Sequence, residues 1–115
     1  MTAAQFRKIA LRLPEAVESA HMSHPDFRVG GKVFASLGYP EEGWGMVKLT
    51  PEQQQLVLDA EPLMFQPAKG AWGKGGATCV ALKVAKAKPL TAVLTAAWRN
   101  TAPKALVRAF DVEEA

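Results

Sequence analysis

The chain has 115 residues, of which 49% are apolar and 22% charged, and its formal net charge is +3. This balance is that of a single globular domain, and it argues against a disordered protein and against two separate cores. No apolar run reaches the length of about 18 residues that a membrane span needs, and the N-terminus lacks the charged-then-apolar order of a secretory signal. The one cysteine, Cys79, cannot close an internal disulfide, which favours a cytoplasmic protein.

Capping residues predict the first two helices. Residues 2–5, Thr-Ala-Ala-Gln, have the spacing of a capping box, and apolar residues then recur at helical intervals to about Leu13. Residues 50–53, Thr-Pro-Glu-Gln, combine an N-cap threonine, a proline at the first helical position and a glutamine at the third. This second helix should run to about Ala60, because a proline follows closely.

A third helix is predicted to start near Pro89 and to be interrupted by Pro103. One side of it carries an apolar stripe, which consists of Leu90, Val93, Leu94, Ala97 and Trp98. Because this spacing puts Trp98 on the stripe, we expect its ring to be mostly buried. Arg99 lies on the other side of the helix, and a last turn from Pro103 to Phe110 should add apolar side chains to the core.

The pair Gly30-Gly31 predicts a β-hairpin between residues 27–29 and 32–35. Glycine tolerates the positive φ of a tight two-residue turn, and apolar residues flank the pair on both sides. In the resulting register Phe27 faces Phe34 as an aromatic cross-strand pair.

Three further strands are predicted, a short edge strand at residues 17–22 and two others at residues 45–49 and 78–82. The order of helices and strands predicts an α+β fold of two layers, with an antiparallel sheet of about five strands and helices on one face. We place a single domain at residues 1–110 and an acidic C-terminal tail at residues 111–115.

His21 and His24 are the only histidines, and they are followed closely by Asp26. A zinc site takes about four ligands, and Cys79 is the only thiol. The two histidines with Asp26 could form a three-ligand site, but a structural role at a strand end and turn is favoured, so we expect no bound metal and no cofactor. Asp26 shares a strand face with Arg28 and is a plausible polar position of the sheet. No serine, histidine and acid form a catalytic arrangement, and the apolar strand around Cys79 favours a buried thiol. We therefore expect that the protein is not an enzyme.

Charge is segregated along the chain. The first 61 residues hold six basic and eight acidic side chains, and the last five residues add three acids. No acid lies between Glu61 and Asp111, and the eight basic residues of this stretch are Lys69, Lys74, Lys83, Lys86, Lys88, Arg99, Lys104 and Arg108. A stretch of one sign attracts polyanions, but a solvated lysine surface gives the same sequence pattern.

Residues 67–76, Pro-Ala-Lys-Gly-Ala-Trp-Gly-Lys-Gly-Gly, form the most unusual segment. They lack the full spacing of a phosphate-binding loop, and Pro67 excludes the helix that precedes the GxxG loop of KH domains. Four glycines expose backbone N–H groups beside Lys69 and Lys74, so the segment can wrap an anion, and Trp72 can stack on a base. The alternative is a connection in which Trp72 folds back into the core.

The chain resembles the MmcQ/YjbR family nearly from end to end. The resemblance rests on several blocks in the right order: His24-Pro25-Asp26-Phe27-Arg28-Val29 with residues 31–35, Leu49 to Gln54, Glu61-Pro62 with Phe65 and Pro67, Gly70 to Gly73, Ala97-Trp98 and Ala102-Pro103-Lys104. The sequence departs from the family at Ala77, where an aromatic residue is expected.

This resemblance implies a fold similar to the CyaY and secretion-chaperone type. It also implies a DNA-binding role in which strands and loops act as paired wings, and it offers no catalytic residues to carry over. CyaY-type proteins bind iron through an acidic ridge on the first helix. The first helix here has Arg7, Lys8 and Arg12 and no acid before Glu15, so iron binding is disfavoured.

Residues and resemblance together predict a small, monomeric, non-enzymatic protein that binds DNA mostly through sequence-independent phosphate contacts. The predicted interface consists of Arg28, Lys32, Lys69, Trp72, Lys74, Arg99 and Lys104. The alternative is an interaction module that binds a protein or a small ligand through the sheet face and the Trp72 segment. Charge segregation favours DNA, whereas the absence of a recognisable recognition helix favours the interaction module.

Overall fold

The computed structural model describes residues 1–114 as five α-helices, six strands and one short 3-10 turn, Leu82–Val84. The helices are α1 (Ala3–Leu11), α2 (Pro51–Ala60), α3 (Gly70–Lys74), α4 (Ala87–Thr101) and α5 (Lys104–Glu114). The strands are β1 (Val17–His21), β2 (His24–Val29), β3 (Lys32–Leu37), β4 (Trp44–Lys48), β5 (Phe65–Pro67) and β6 (Ala77–Ala81).

The six strands belong to one sheet in the order β1-β2-β3-β4-β6-β5, and every neighbouring pair is antiparallel. The predicted α+β class is therefore confirmed, with six strands where about five were expected. The strand that the sequence did not predict is β5, a three-residue edge strand in which Phe65 pairs with Val80. The opposite edge is β1, in the place where residues 17–22 predicted an edge strand.

One face of the sheet packs against the helices and forms the main core. Its buried side chains include Phe27, Val29, Phe34, Val47 and Val80 from the strands and Phe6, Leu90, Leu94 and Trp98 from the helices. Trp98 is fully buried, as predicted. Its indole N–H donates to the carbonyl oxygen of Pro14 at 3.0 Å, and its ring centroid lies 4.9 Å from that of Phe110.

Both predicted capping boxes are present. Thr2 accepts a hydrogen bond from the backbone N–H of Gln5, Thr50 accepts one from that of Gln53, and each glutamine side chain accepts one in return. The helix α2 has the predicted bounds, whereas α1 ends at Leu11, two residues before its predicted end. The helix α4 begins two residues before Pro89, because a proline in the first turn lacks only an N–H that has no intrahelical partner.

The Gly30-Gly31 hairpin forms, with φ angles of 59° and 79° at the two glycines. Its predicted register is wrong after two pairs, because Phe27 pairs with Ala35 and not with Phe34. A bulge leaves Phe34 outside the ladder, so that Phe34 and Ala35 are both buried in the main core. Phe27 instead contacts the ring of Phe6, with centroids 5.9 Å apart.

The chain after Pro103 forms a full helix, α5, where the sequence predicted one further turn. The helix adds Leu106, Val107 and Phe110 to the margin of the main core. Residues 111–114, the expected acidic tail, continue this helix, and Ala115 lies outside the described residues. No helix within residues 1–114 is long and apolar enough to cross a membrane.

Candidate functional site

The second face of the sheet, which we call the open face, carries the residues that alternate with the core residues. On β2, Asp26 and Arg28 alternate with the buried Phe27 and Val29. Cross-strand pairing then aligns one row of residues across four strands, which consists of Asp26, Ser36, Met46 and Cys79. Lys48 lies two residues beyond Met46, so alternation puts it on the same face.

Arg28 and Asp26 form a bidentate ion pair on the open face. The Nε–H and one Nη2–H of Arg28 donate to the two carboxylate oxygens of Asp26 at 2.9 and 3.0 Å. Asp26 is 3% exposed, whereas the Arg28 side chain is 33% exposed. The hydrogen bonds of Asp26 and then its charge raise the pKa of Arg28, so the guanidinium stays protonated. Two parallel hydrogen bonds also fix the plane of the guanidinium.

A cavity of about 320 Å³, which we call the first cavity, lies on the open face at this ion pair. Its lining includes positive charge from Arg28 and Lys48, aromatic rings from Tyr39 and Trp72, and aliphatic surface from Val33 and Met46. The other lining residues are His21, His24, Asp26 and Ser36. Chemically, such a lining suits a small ligand that has both a planar apolar part and an anionic part.

Trp72 and Tyr39 form the aromatic part of the first cavity. Their rings are in edge-to-face contact, with centroids 4.9 Å apart and planes at 69°. Trp72 remains 43% exposed and does not belong to the main core, so the alternative in which it folds back into the core is wrong. A large part of the indole is therefore accessible to a ligand.

The helix α3, which carries Trp72, is held by tertiary contacts. The side-chain amide of Gln54 on α2 approaches the carbonyl oxygens of Gly73 and Ala77 at 3.0 and 3.1 Å. A Cβ atom at Gly73 would lie 1.7 Å from the carbonyl oxygen of Ala68, so only glycine fits there. The position of Trp72 is thus set by close backbone packing on one side and by a side-chain amide on the other.

A second cavity, of about 470 Å³, shares Lys48 and Trp72 with the first. Asn100, which also lines it, donates from its side-chain amide to the carbonyl oxygen of Lys48 at 3.1 Å. The exposed indole of Trp72 therefore borders two cavities, and the two together can accept more than one group of an extended ligand.

The structure brings some of the predicted interface residues together. Arg28 and Trp72 line the first cavity. Lys69 is the N-cap of α3 and Lys74 is its last residue, so the two lysines flank Trp72 in sequence, and neither lines the first or the second cavity. Lys32 is exposed and begins β3, directly after the hairpin turn.

Two predicted interface residues are placed elsewhere. Arg99, near the C-terminal end of α4, is bonded through its guanidinium to the carboxylate of Asp111 on α5. The hydrogen bonds of Asp111 raise the pKa of Arg99, as expected of a paired guanidinium. Lys104 is exposed at the start of α5, and neither residue lines the first or the second cavity.

Sequence reasoning missed Lys48 and Tyr39. For Lys48 a signal was present, because Met46 and Lys48 alternate with the core residue Val47 along the predicted strand at residues 45–49. Tyr39 lies in the turn-rich segment before β4, and no local pattern indicates that it contacts Trp72, which is distant in sequence.

His21 and His24 face each other across the β1–β2 turn and lie at the first cavity. Within the described part of the chain, no three His, Cys, Asp or Glu side chains are grouped so that they could hold a metal ion. Cys79 is buried, and its desolvation raises the pKa of the thiol. The thiol is therefore held in its neutral form, which is the unreactive one.

Comparison with known proteins identifies the family of the chain and a solved structure of similar fold. A sequence model of the YjbR family matches residues 11–100. The chain belongs to the YjbR family. No curated protein matches the sequence. Among solved structures, this YjbR chain is similar to the Deinococcus radiodurans protein DR2400, whose family-model domain is DUF419, with a TM-score of 0.74 and 20% identity. The match covers 97% of this chain and 86% of that chain, and at this identity it shows the fold alone.

Proposed function

We propose that this YjbR-family protein is a non-enzymatic DNA-binding protein whose interface is the open face of the sheet. The observation that carries the proposal is that Arg28 and Lys48 meet Tyr39 and Trp72 around one cavity. Basic side chains bind phosphates in any sequence, and exposed aromatic rings stack on unpaired bases. A surface that offers both therefore supports sequence-independent binding.

The distribution of ion pairs supports the same surface. Among the side chains of residues 1–113, no ion pair includes Lys48, Lys69 or Lys74. Lys86 lies 3.3 Å from Glu61, Arg99 is bonded to Asp111, and Arg28 is itself paired with Asp26. Positive charge that no described ion pair neutralises is therefore present at Lys48, which lines the first cavity with Trp72, and at the two lysines of the Trp72 segment.

The proposal is tested by titrating labelled single-stranded and duplex DNA at salt concentrations between about 50 and 200 mM. On a single strand, each neutralised phosphate contributes about −0.7 to the slope of log affinity against log salt. If Arg28, Lys48, Lys69 and Lys74 each contact one phosphate, the slope should be about −2.8. Lys74→Ala should then reduce its magnitude by about 0.7 without changing any sequence preference.

Lys88→Ala is the matched control. Lys88 is an exposed lysine in the first turn of α4, and it lies about 18 Å along that helix from Asn100, the residue that contacts Lys48. The slope should be unchanged in this variant. Equal effects of Lys74→Ala and Lys88→Ala, or no detectable binding of either DNA form at about 50 mM salt, would contradict the proposal.

A second candidate is an interaction module for a protein or a small ligand, and the concave shape of the first cavity favours it. Pockets that combine aromatic and aliphatic walls with a few charged groups are typical of small-molecule sites. A protein that binds no DNA, but whose Trp72 signal responds to a small anionic aromatic compound, would have this second function in place of the first.

A further inference from the structure

The ion pair at the first cavity leaves some N–H donors of the Arg28 guanidinium without a partner in the pair. Both oxygens of Asp26 accept from this guanidinium, at 2.9 and 3.0 Å. A guanidinium has more N–H donors than this pair uses, so further donors remain for an anion. Because Asp26 orders the side chain before any ligand arrives, less conformational entropy is lost when the anion binds.

The burial of Asp26 indicates that this carboxylate orients Arg28 and does not itself face the ligand. At 3% exposure the carboxylate has little contact with solvent, while its partner is one-third exposed. A buried carboxylate is tolerated where a charged partner satisfies it. The pair therefore acts as a unit whose outer side is the guanidinium, and the half-buried Lys48 adds a second positive group at the same cavity.

Trp72 supplies a planar surface at this cavity. Tyr39 supports the indole by edge-to-face contact, a favoured geometry for aromatic pairs. The Trp72 side chain lies on a glycine-rich segment and is 43% exposed, so its ring is accessible to a ligand. An accessible indole stacks on any base, because every base has a π-face.

We propose that the first cavity binds one nucleotide, with its base stacked on Trp72 and its phosphate on Arg28 and Lys48. This inference rests on the proposed function and deepens it. The volume of about 320 Å³ is at the lower end for small-molecule sites, which suits one nucleotide. Bases in a duplex are paired and stacked, and one of them would have to be flipped out to enter. The ligand is therefore an unstacked nucleotide, either free or part of a single strand.

The probe is adenosine 5′-monophosphate, followed by NMR through the tryptophan indole N–H signals. The Trp72 signal should shift, whereas that of Trp98, which is buried and bonded to Pro14, is the internal reference. Adenosine lacks the phosphate and ribose 5-phosphate lacks the base, so each should bind more weakly than the nucleotide. Trp72→Ala should weaken nucleotide binding by roughly 5- to 150-fold, the range for loss of one base–aromatic stack.

Asp26→Asn separates orientation from charge. Removal of a negative charge near the phosphate would by itself strengthen nucleotide binding, whereas release of Arg28 from its fixed plane would weaken it. We expect weaker binding of the nucleotide and little change for adenosine, and stronger binding of the nucleotide would overturn the orienting role. Glu18→Gln is the matched control, because Glu18 pairs with Arg7 at 2.8 Å in an exposed position. If the Asp26→Asn protein does not fold, Arg28→Lys gives the same test, since lysine keeps the charge and loses the fork.

Oligonucleotides separate the two sources of the ligand, and they separate this inference from the proposed function. Tighter binding of single-stranded oligodeoxyadenylate than of its duplex, lost in Trp72→Ala, supports a nucleotide within a strand. A response to adenosine 5′-monophosphate without oligonucleotide binding supports a free nucleotide and overturns the proposed function. Equal, salt-dependent binding of single strand and duplex, with no nucleotide response at Trp72, overturns this inference and leaves the proposed function standing.

Discussion

Gln54→Ala should loosen the segment that carries Trp72. The side-chain amide of Gln54 lies 3.0 and 3.1 Å from the carbonyl oxygens of Gly73 and Ala77 and 3.2 Å from the hydroxyl of Thr78. A primary amide has two N–H donors, so at most two of these three contacts are full hydrogen bonds. At about 0.5–1.5 kcal/mol each, their loss should lower the free energy of unfolding by about 1–3 kcal/mol.

Each acceptor that loses Gln54 keeps another hydrogen bond, and for Thr78 this is the bond that its hydroxyl donates to the carbonyl oxygen of Gly76 at 2.8 Å. The carbonyl oxygen of Gly73 still accepts the backbone N–H of Gly76 at 3.0 Å, and that of Ala77 still accepts the N–H of Ala68 at 2.9 Å. No further penalty for an unpaired buried acceptor is therefore added, and the loss should lie near the middle of the range, at about 2 kcal/mol.

Gln55→Ala is the matched control, because it makes the same substitution at the next position of the same helix. The side chain of Gln55 is exposed and donates to Asp59 one turn later at 2.9 Å. Its removal should change the free energy of unfolding by less than about 0.5 kcal/mol. Urea midpoints at unchanged m values give both differences. Equal midpoints for the two variants would refute the role of Gln54.

Two further predictions concern buried side chains. Trp98→Ala should lower the free energy of unfolding by about 3–5 kcal/mol, as for other large core truncations. Trp72→Ala should lower it by about 0.5–1.5 kcal/mol, the value of one aromatic contact. A loss below roughly 1 kcal/mol for Trp98→Ala would contradict the burial of Trp98. Cys79 should react slowly with iodoacetamide in the folded protein, because burial raises the pKa of the thiol and the thiolate is the reactive form. In the folded protein, alkylation of Cys79 should need a higher pH than alkylation of a free cysteine, and in denaturant it should become faster. Equal rates in the folded and the unfolded protein would refute the prediction.

The parts of the fold that the sequence predicted are those decided by a few neighbouring residues. Thr2 and Thr50 begin helices because each threonine and the glutamine three positions later satisfy one another's backbone groups. The Gly30-Gly31 hairpin follows from the positive φ that both positions need. In each case the signal and its cause lie within four residues.

The parts that could not be predicted depend on distant contacts. The bulge at Phe34 lets Phe34 and Ala35 both be buried in the main core, and nothing near it in sequence requires the register of the ladder to shift. The turn between β1 and β2 has Met22 and Ser23 at positive φ, where glycine or asparagine is usual, so no turn signal is present. The five residues of α3 are too few to form a helix alone, and the contacts of Gln54 supply what the local sequence lacks.

The candidate site divides in the same way. Arg28 was predicted as a basic residue on the polar side of its strand, and Trp72 because it lies in an unusual segment of glycines and lysines. Tyr39 joins them by a ring contact with Trp72, which only the fold determines, whereas alternation with Val47 puts Lys48 on the open face and was readable from the sequence. The orienting role that we propose for Asp26 could not be predicted either, because alternation with Phe27 indicates the face on which Asp26 lies but not that it is buried.

Charge along the chain is a poor guide to charge in space. The two acids that border the acid-free stretch, Glu61 and Asp111, fold back onto it and pair with Lys86 and Arg99. These two cations are separated by about 20 Å along α4, so one ligand backbone would have to follow the helix to reach both. On the open face Asp26 pairs with Arg28 through two parallel hydrogen bonds, and the guanidinium side chain stays one-third exposed. The proposed anion site therefore rests on an arginine that is paired with a buried acid, and not on the stretch of sequence from which acids are absent.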